Sequence, residues 1–259
     1  GRIFSIPGSG TRMRYARFLD PAGMVRTGTY DGGRLEAAGR SYDADDPEIE
    51  LLAPCEPSKI VCVGFNYEDH AAEVGKEIPE RPELFFKTPN SVAPPGATID
   101  LLPGKDEITY EGELAVVIGT QCRNVDASEA EDVISGYTCM NDVTNRDDAE
   151  EERNWVRTEA FDGSAPLGPV VATPDEVPDD ASIELFLNGE RRQSSSIDNL
   201  ACSVPELIEE ITTYLTLEPG DVIATGTPAG DGRLSDGDRV EISIEGIGTL
   251  EHGVSDPER

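Results

Sequence analysis

Apolar positions along the chain fall in short runs, most of them alternating with polar residues, and Gly, Pro or Asp closes many of them. Alternation with a period of two marks a half-buried strand, and a short unbroken apolar run marks a strand buried on both faces. Residues 14–19 and 24–30 alternate loosely, with a turn at Asp31-Gly32-Gly33. Residues 59–64 (KIVCVG) read as a buried strand and 84–87 as another. Residues 110–119 alternate and then become wholly apolar, as a strand entering a core does. Strands at 136–140, 182–188, 221–224, 239–244 and 248–252 complete the set, with Asn188-Gly189 a strong hairpin signal. Helical patterning is confined to 68–75, to 127–135 with Ser128 as a candidate cap, and to 204–215, which is amphipathic and stops before Pro219-Gly220. The result is a strand-dominated α+β order. It lacks the regular βαβ alternation of a doubly wound sheet or a TIM barrel.

Residues 1–12 differ in character from the rest of the chain and read as a leader outside the fold. Residues 13–54 read as a small β-rich module whose acidic stretch 41–50 is a linker or surface loop. Residues 55–254 form the main domain and 255–259 a tail. A length of 259 suits one large domain with a small one, at about 100–200 residues per domain.

Charge narrows the function. Acidic residues number 52 against 21 basic ones, a formal net charge of −31. A nucleic-acid partner needs a basic face, and docking on an anionic membrane needs one too. No apolar run approaches the roughly 20 residues of a membrane span, and no signal peptide is apparent. The expectation is a soluble, cytoplasmic protein. Low hydrophobicity with high charge also suits disorder, but the apolar runs argue against that here. Only Lys59, Lys76, Lys87 and Lys105 are lysines. An acidic, Lys-poor chain reads as adapted to a salty cytoplasm, where screening quiets carboxylate repulsion. The five cysteines are odd in number and none has CxxC spacing, so neither a disulfide framework nor structural zinc is expected.

The chemistry concentrates in a few places. Glu111 and Glu113 stand at i and i+2 in a strand and so share a face, just before the apolar run. Two like charges near a core are costly unless a cation joins them. The pattern alone is weak, because two surface glutamates on an edge strand spell the same letters. Asp142 follows the strand 136–140 and offers a third oxygen. Such a trio suits Mg²⁺, Mn²⁺ or Ca²⁺ and leaves positions for water and substrate. His70 and Glu73 are neighbours on a helical turn, and a carboxylate beside an imidazole makes a general base of suitable strength. Lys87 and Arg146 are candidates to meet a substrate carboxylate. Residues 225–230 (TGTPAG) end a strand with Gly for close approach and hydroxyls for an anion, Thr227 among them.

In this order the segments VGFNYEDHAAEVG, PELFFK, YEGELAVVIG, GYTCMNDVTNRD, FDGSAPLGP, NGERRQ and LEPGDVIATGTPAG resemble the fumarylacetoacetate hydrolase (FAH) superfamily. The resemblance spans roughly residues 59–254. It implies a mixed β-sandwich roll, a homodimer, and Mg²⁺ or Mn²⁺ held by Glu111, Glu113 and Asp142. It implies His70 and Glu73 as a dyad on a lid, with Lys87, Arg146 and Thr227 positioning a small carboxylate substrate. The implied activity is on 2-oxo or 1,3-dicarbonyl acids through an enolate, by C–C hydrolysis, by isomerisation of enol/oxo dienoates or by decarboxylation. A 2-keto-3-deoxy sugar-acid dehydratase and a metal-binding paralogue without turnover are the alternatives. Two positions depart from the pattern of many members: Glu159 stands where a Lys is common, and Ala149 where a Gln is common.

Overall fold

The computed structural model describes residues 12–257, so the leader reading falls almost wholly outside it. The alternating segments near the start become β1 (Arg14–Leu19), β2 (Val25–Asp31), β3 (Arg34–Ala37), β4 (Arg40–Asp43) and β5 (Glu50–Leu52). The polar stretch 41–50 is therefore partly strand: β4 pairs with β3 from Arg34↔Asp43 to Ala37↔Arg40. The apolar runs become β6 (Ile60–Gly64), then α1 (Glu68–Glu73), then β7 (Glu83–Lys87). Next come β8 (Val92–Ala93), β9 (Thr98–Asp100), β10 (Ile108–Tyr110), β11 (Gly112–Ile118), β12 (Ile134–Asn141) and β13 (Thr144–Asn145). The second half holds α2 (Val156–Glu159), β14 (Ala165–Ala172), β15 (Ser182–Leu187), β16 (Glu190–Ser196), α3 (Val204–Tyr214), β17 (Val222–Ala224), β18 (Gly232–Arg233), β19 (Arg239–Ile244) and β20 (Gly248–Ser255).

These strands form three sheets among the described residues. The largest runs β4-β3-β2-β1-β14-β12-β11-β17-β6-β7, with β5 on β1 and β8 on β14. A three-stranded sheet runs β13-β10-β18, and a five-stranded one runs β16-β15-β19-β20-β9. The five-stranded sheet packs on the large one through Ile183, Leu185, Val240, Ile242 and Leu250 against Leu114, Cys139 and Val170. Alternation along β6 and β17 serves two cores at once. Ile60, Cys62, Val222 and Ala224 face one cluster. Val61, Val63 and Ile223 face another, closed by Leu207, Ile208 and Ile211 of α3. That is why these strands read as unbroken apolar runs.

Turn chemistry follows the sequence where it was distinctive. Asn188 and Gly189 both have positive φ (54° and 79°), as the two-residue hairpin from β15 to β16 requires. Glu206 accepts the Ser203 N–H at 2.8 Å and opens α3. Two expectations change. Residues 127–133 form 3₁₀ turns rather than an α-helix, and Asp126 rather than Ser128 precedes them. The strand expected over 110–119 is broken at Glu111, between β10 and β11. All five cysteines are free.

Candidate active site

The break at Glu111 places that residue where the chain leaves the three-stranded sheet and enters the large one. Its backbone N–H donates to Asn141 Oδ1 at 2.9 Å, and Asp142 N–H donates to Glu111 O at 2.8 Å. Pairing of β11 with β17 brings Gly226 N–H to Glu113 Oε2 at 2.8 Å. Glu111, Glu113 and Asp142 thus converge, with one carboxylate oxygen from each within 4.8 Å of the others. All three are buried. Burial pushes the carboxyls of Glu111 and Glu113 well above the usual range; for Glu113 the Asp142 charge adds to this, while for Glu111 the Arg146 guanidinium opposes it. Asp142 Oδ1 pairs with Lys87 Nζ at 2.6 Å, while Oδ2, equally buried, has no partner among the described residues. Orphaned buried anionic oxygen facing two further carboxylates is a donor set that a hard divalent cation fits.

Lys87, expected to reach the substrate, lies behind the site. It is fully buried, sits 3.1 Å from Glu159 Oε2, and donates to the carbonyls of Val143 (2.9 Å) and Glu159 (2.8 Å). Burial works against its charge, but Asp142 and Glu159 outweigh it and keep it protonated. Glu159 is buried too, and burial raises its carboxyl to about 7 against the pull of Lys87. Thr227 is likewise committed. Its hydroxyl donates to Gly112 O at 3.0 Å and accepts from Gln193 Nε2 at 2.8 Å. The side-chain protons of Lys87 and Thr227 are therefore committed within the protein in this arrangement. Arg146 does reach the site, pairing closely with Glu111 and lying 3.4 Å from Asp231 Oδ2.

His70 stands across the cavity on α1 and is 5% exposed. Phe65, at a positive φ of 54°, turns the chain out of β6 and stacks on the imidazole with centroids 5.9 Å apart. Asp231 Oδ1 lies 3.6 Å from His70 Nδ1. Glu73 contributes to the same group, within 4.8 Å, while its Oε2 accepts Gly230 N–H at 2.9 Å. Burial lowers the His70 pKa below its ordinary value, and Asp231 partly restores it. The sequence pointed to Glu73 as the partner; the acid it missed, Asp231, arrives from the far end of the chain and carries no local signal.

His70, Glu111, Arg146, Thr227 and Glu159 share the wall of a cavity of about 260 Å³. Trp155 and Lys76 also line it. Trp155 packs edge-on against Phe85, and the Lys76 ammonium sits 4.0 Å over the Phe65 ring. Ala149 lines the wall as well, a small side chain where a larger one would narrow the space. His252 is buried with Nε2 2.8 Å from Asn141 Nδ2, and so supports the amide that holds Glu111.

Comparison with known proteins gives the family. The family model "Fumarylacetoacetate (FAA) hydrolase C-terminal" matches residues 59–255. Oxaloacetate tautomerase YisK of Bacillus subtilis is 41% identical over 224 residues, covering 80% of this chain and 73% of that protein. The crystal structure of 2-hydroxyhepta-2,4-diene-1,7-dioate isomerase from Mycobacterium marinum superposes with a TM-score of 0.87 at 36% identity, covering 95% of this chain and 100% of that one. Fumarylpyruvate hydrolase from Pseudomonas aeruginosa, solved with Mn²⁺ and pyruvate, gives 0.74 at 33% identity, covering 80% and 92%. With residues 59–255, most of the chain, matched by that family model and a relative 41% identical over 80% of it, the chain belongs to the fumarylacetoacetate (FAA) hydrolase C-terminal family.

Proposed function

We propose that this protein is a divalent-metal-dependent enzyme acting on a small 2-oxo or 1,3-dicarbonyl acid. The observation that carries the reading is the unpartnered Asp142 Oδ2, buried with Glu111 and Glu113 beside a cavity that His70 lines. Glu111, Glu113 and Asp142 would hold Mg²⁺ or Mn²⁺, which supplies a Lewis acid for negative charge developing on the substrate's oxygens. His70 is neutral at pH 7 and takes a proton from the carbon next to the 2-oxo group, or from a water. Asp231 and Glu73 then stabilise the imidazolium. For tautomerisation or isomerisation His70 returns the proton to another atom of the same conjugated acid. For hydrolysis the water oxygen attacks the distal carbonyl, the C–C bond breaks, and its electron pair stays on the 2-oxo acid fragment, which His70 protonates. Arg146 and Lys76 are the cavity's cations for the substrate carboxylate.

Glu159 would argue for lost turnover if it met the substrate as a bare charge. Lys87, shared with Asp142, pairs with it, so the cavity does not carry that reversal wholly uncompensated. The neighbours named for a tautomerase, an isomerase and a hydrolase support the shared proton transfer rather than one outcome. We place the enzyme in a salt-rich cytoplasm, as a homodimer; the acidic, Lys-poor composition supports the first and the family resemblance the second. No helix among the described residues is long and apolar enough to cross a membrane.

The test is turnover in molar KCl with Mg²⁺ or Mn²⁺, offering oxaloacetate, an acylpyruvate and a 2-hydroxydienedioate. Activity should vanish with EDTA and fall about 10²–10⁴-fold in His70→Ala. Turnover that survives either treatment overturns the reading.

A further inference from the structure

We infer that His70, Glu73 and Asp231 form a second cation site, selective for a transition metal such as Zn²⁺, and that filling it silences the enzyme. The silencing rests on the role given to His70 above; the site itself does not.

The geometry comes first. One ligand atom from each side chain lies within 4.8 Å of the others. His70 Nδ1 is buried and has no hydrogen-bond partner. Its distance to Asp231 Oδ1, 3.6 Å, is too long for a hydrogen bond. It is near the separation of about 3.3 Å between two ligand atoms on a tetrahedral zinc with bonds of about 2.0–2.1 Å. Glu73 is exposed at the end of α1. Its Oε2 accepts from Gly230, which leaves Oε1 available.

The charges are compatible. Two carboxylates and a neutral imidazole offer a net charge of −2. The nearest cation, Arg146, approaches Asp231 through Oδ2 and is shared with Glu111, so Oδ1 stays open toward the histidine. Asp69 accepts the His70 backbone N–H at 2.8 Å and stands outside the group.

The donor types sort the ions. Glu111, Glu113 and Asp142 present only oxygen and favour Mg²⁺ or Mn²⁺. An imidazole nitrogen with two carboxylates favours Zn²⁺, Co²⁺ or Ni²⁺. A neutral imidazole has one lone pair in the ring plane. A cation on Nδ1 takes it and leaves the proton on Nε2, so neither nitrogen remains basic. No bond to substrate is needed for this inhibition.

The test titrates Zn²⁺ into the full-length, Mn²⁺-loaded protein, following bound Mn²⁺ by electron paramagnetic resonance and Zn²⁺ by calorimetry. One Zn²⁺ per chain should bind while Mn²⁺ is retained, and turnover should fall with the same midpoint. Glu73→Gln and His70→Ala should each weaken Zn²⁺ at least tenfold without releasing Mn²⁺. Co²⁺ added to the Mn²⁺-loaded wild type should give visible absorption of a four-coordinate N/O site, a readout that does not depend on a variant folding. One-for-one displacement of Mn²⁺ by Zn²⁺, or Zn²⁺ affinity unchanged in both variants, overturns the second site. If the Zn²⁺-free protein fails to turn over yet binds Zn²⁺ beside Mn²⁺, the proposed reaction is what fails and the site stands.

Discussion

Asp142 holds one buried anionic oxygen, Oδ2, without a hydrogen-bond donor, and that single residue makes a sharp prediction. In the metal-free protein it repels Glu111 and Glu113 while pairing with Lys87, so Asp142→Asn relieves the repulsion and loses the pair. The same change should abolish the response to Mn²⁺. Wild type at a hundred times Kd should gain about 2.7 kcal/mol, roughly 5–11 °C in Tm. A variant that still responds to Mn²⁺ would remove Asp142 from the site. His70 makes a second prediction. Burial lowers its pKa, and the base must be neutral to act, so kcat/KM should fall only below pH about 6.5. Asp231 raises that pKa, so Asp231→Asn should slow turnover and move the acid limb to still lower pH. A limb above pH 7 would contradict this. The acidic trio and the histidine were legible because each lies in a local pattern of chemistry-bearing residues. The fates of Lys87 and Thr227 were not, because what spends their protons, Asp142 and Glu159 for one and Gly112 and Gln193 for the other, is brought there only by the fold.

Among the elements, the parallel pair β17 and β6 depends on one buried carboxylate. Asp221 accepts the N–H groups of Ser58 (2.9 Å), Lys59 (3.2 Å) and Glu218 (2.8 Å), the Ser58 hydroxyl (2.7 Å), and the Lys59 ammonium. Burial pushes its pKa up, but Lys59 and these donors outweigh it and hold the group below the ordinary value. A carboxylate lowered on folding contributes stability above its unfolded pKa of about 3.9, lost as pH falls through the folded value. Asp221→Ala strands several donors and should cost about 3 kcal/mol or more at pH 7, measured by urea unfolding, and less below pH 3. On the other face of the sheet, Ile211→Ala in α3 should cost about 2–5 kcal/mol. The apolar strands of this region were plain in the sequence. β14 was not: Pro166, Gly168 and Pro169 argue against a central strand. It is central nonetheless, because its ladder to β1 uses only Val171 and Ala172, beyond the prolines, and its ladder to β12 shifts register between Tyr137 and Cys139. β16 hid for a different reason, since ERRQSSS is polar and lies at a sheet edge.

The whole molecule carries −31 charges on 259 residues. Unscreened, that repulsion destabilises the compact state, and at about 1 M salt the screening length shrinks to roughly 3 Å. Thermal stability should therefore rise from low to molar KCl; a flat or falling curve would remove the argument for a salty setting. The strand-dominated class was legible from periodicity. The sheet order was not, because it pairs segments that the chain keeps far apart. That order has a consequence for how the protein is made. β17, at residues 222–224, is inserted between β11 and β6, which are synthesised over a hundred residues earlier. At about 5–20 residues per second, a ribosome leaves those two apolar edges unpaired for roughly 5–30 s. The emerging chain cannot close its central sheet until most of it has been translated, and β17 carries into that gap the turn with Gly226 and Thr227 that completes the site. Birth of the enzyme is therefore nearly all-or-none: a nascent chain stalled before β17 has two open edges ready to join a neighbour's, and lacks both Thr227 on the cavity wall and Asp231 beside His70.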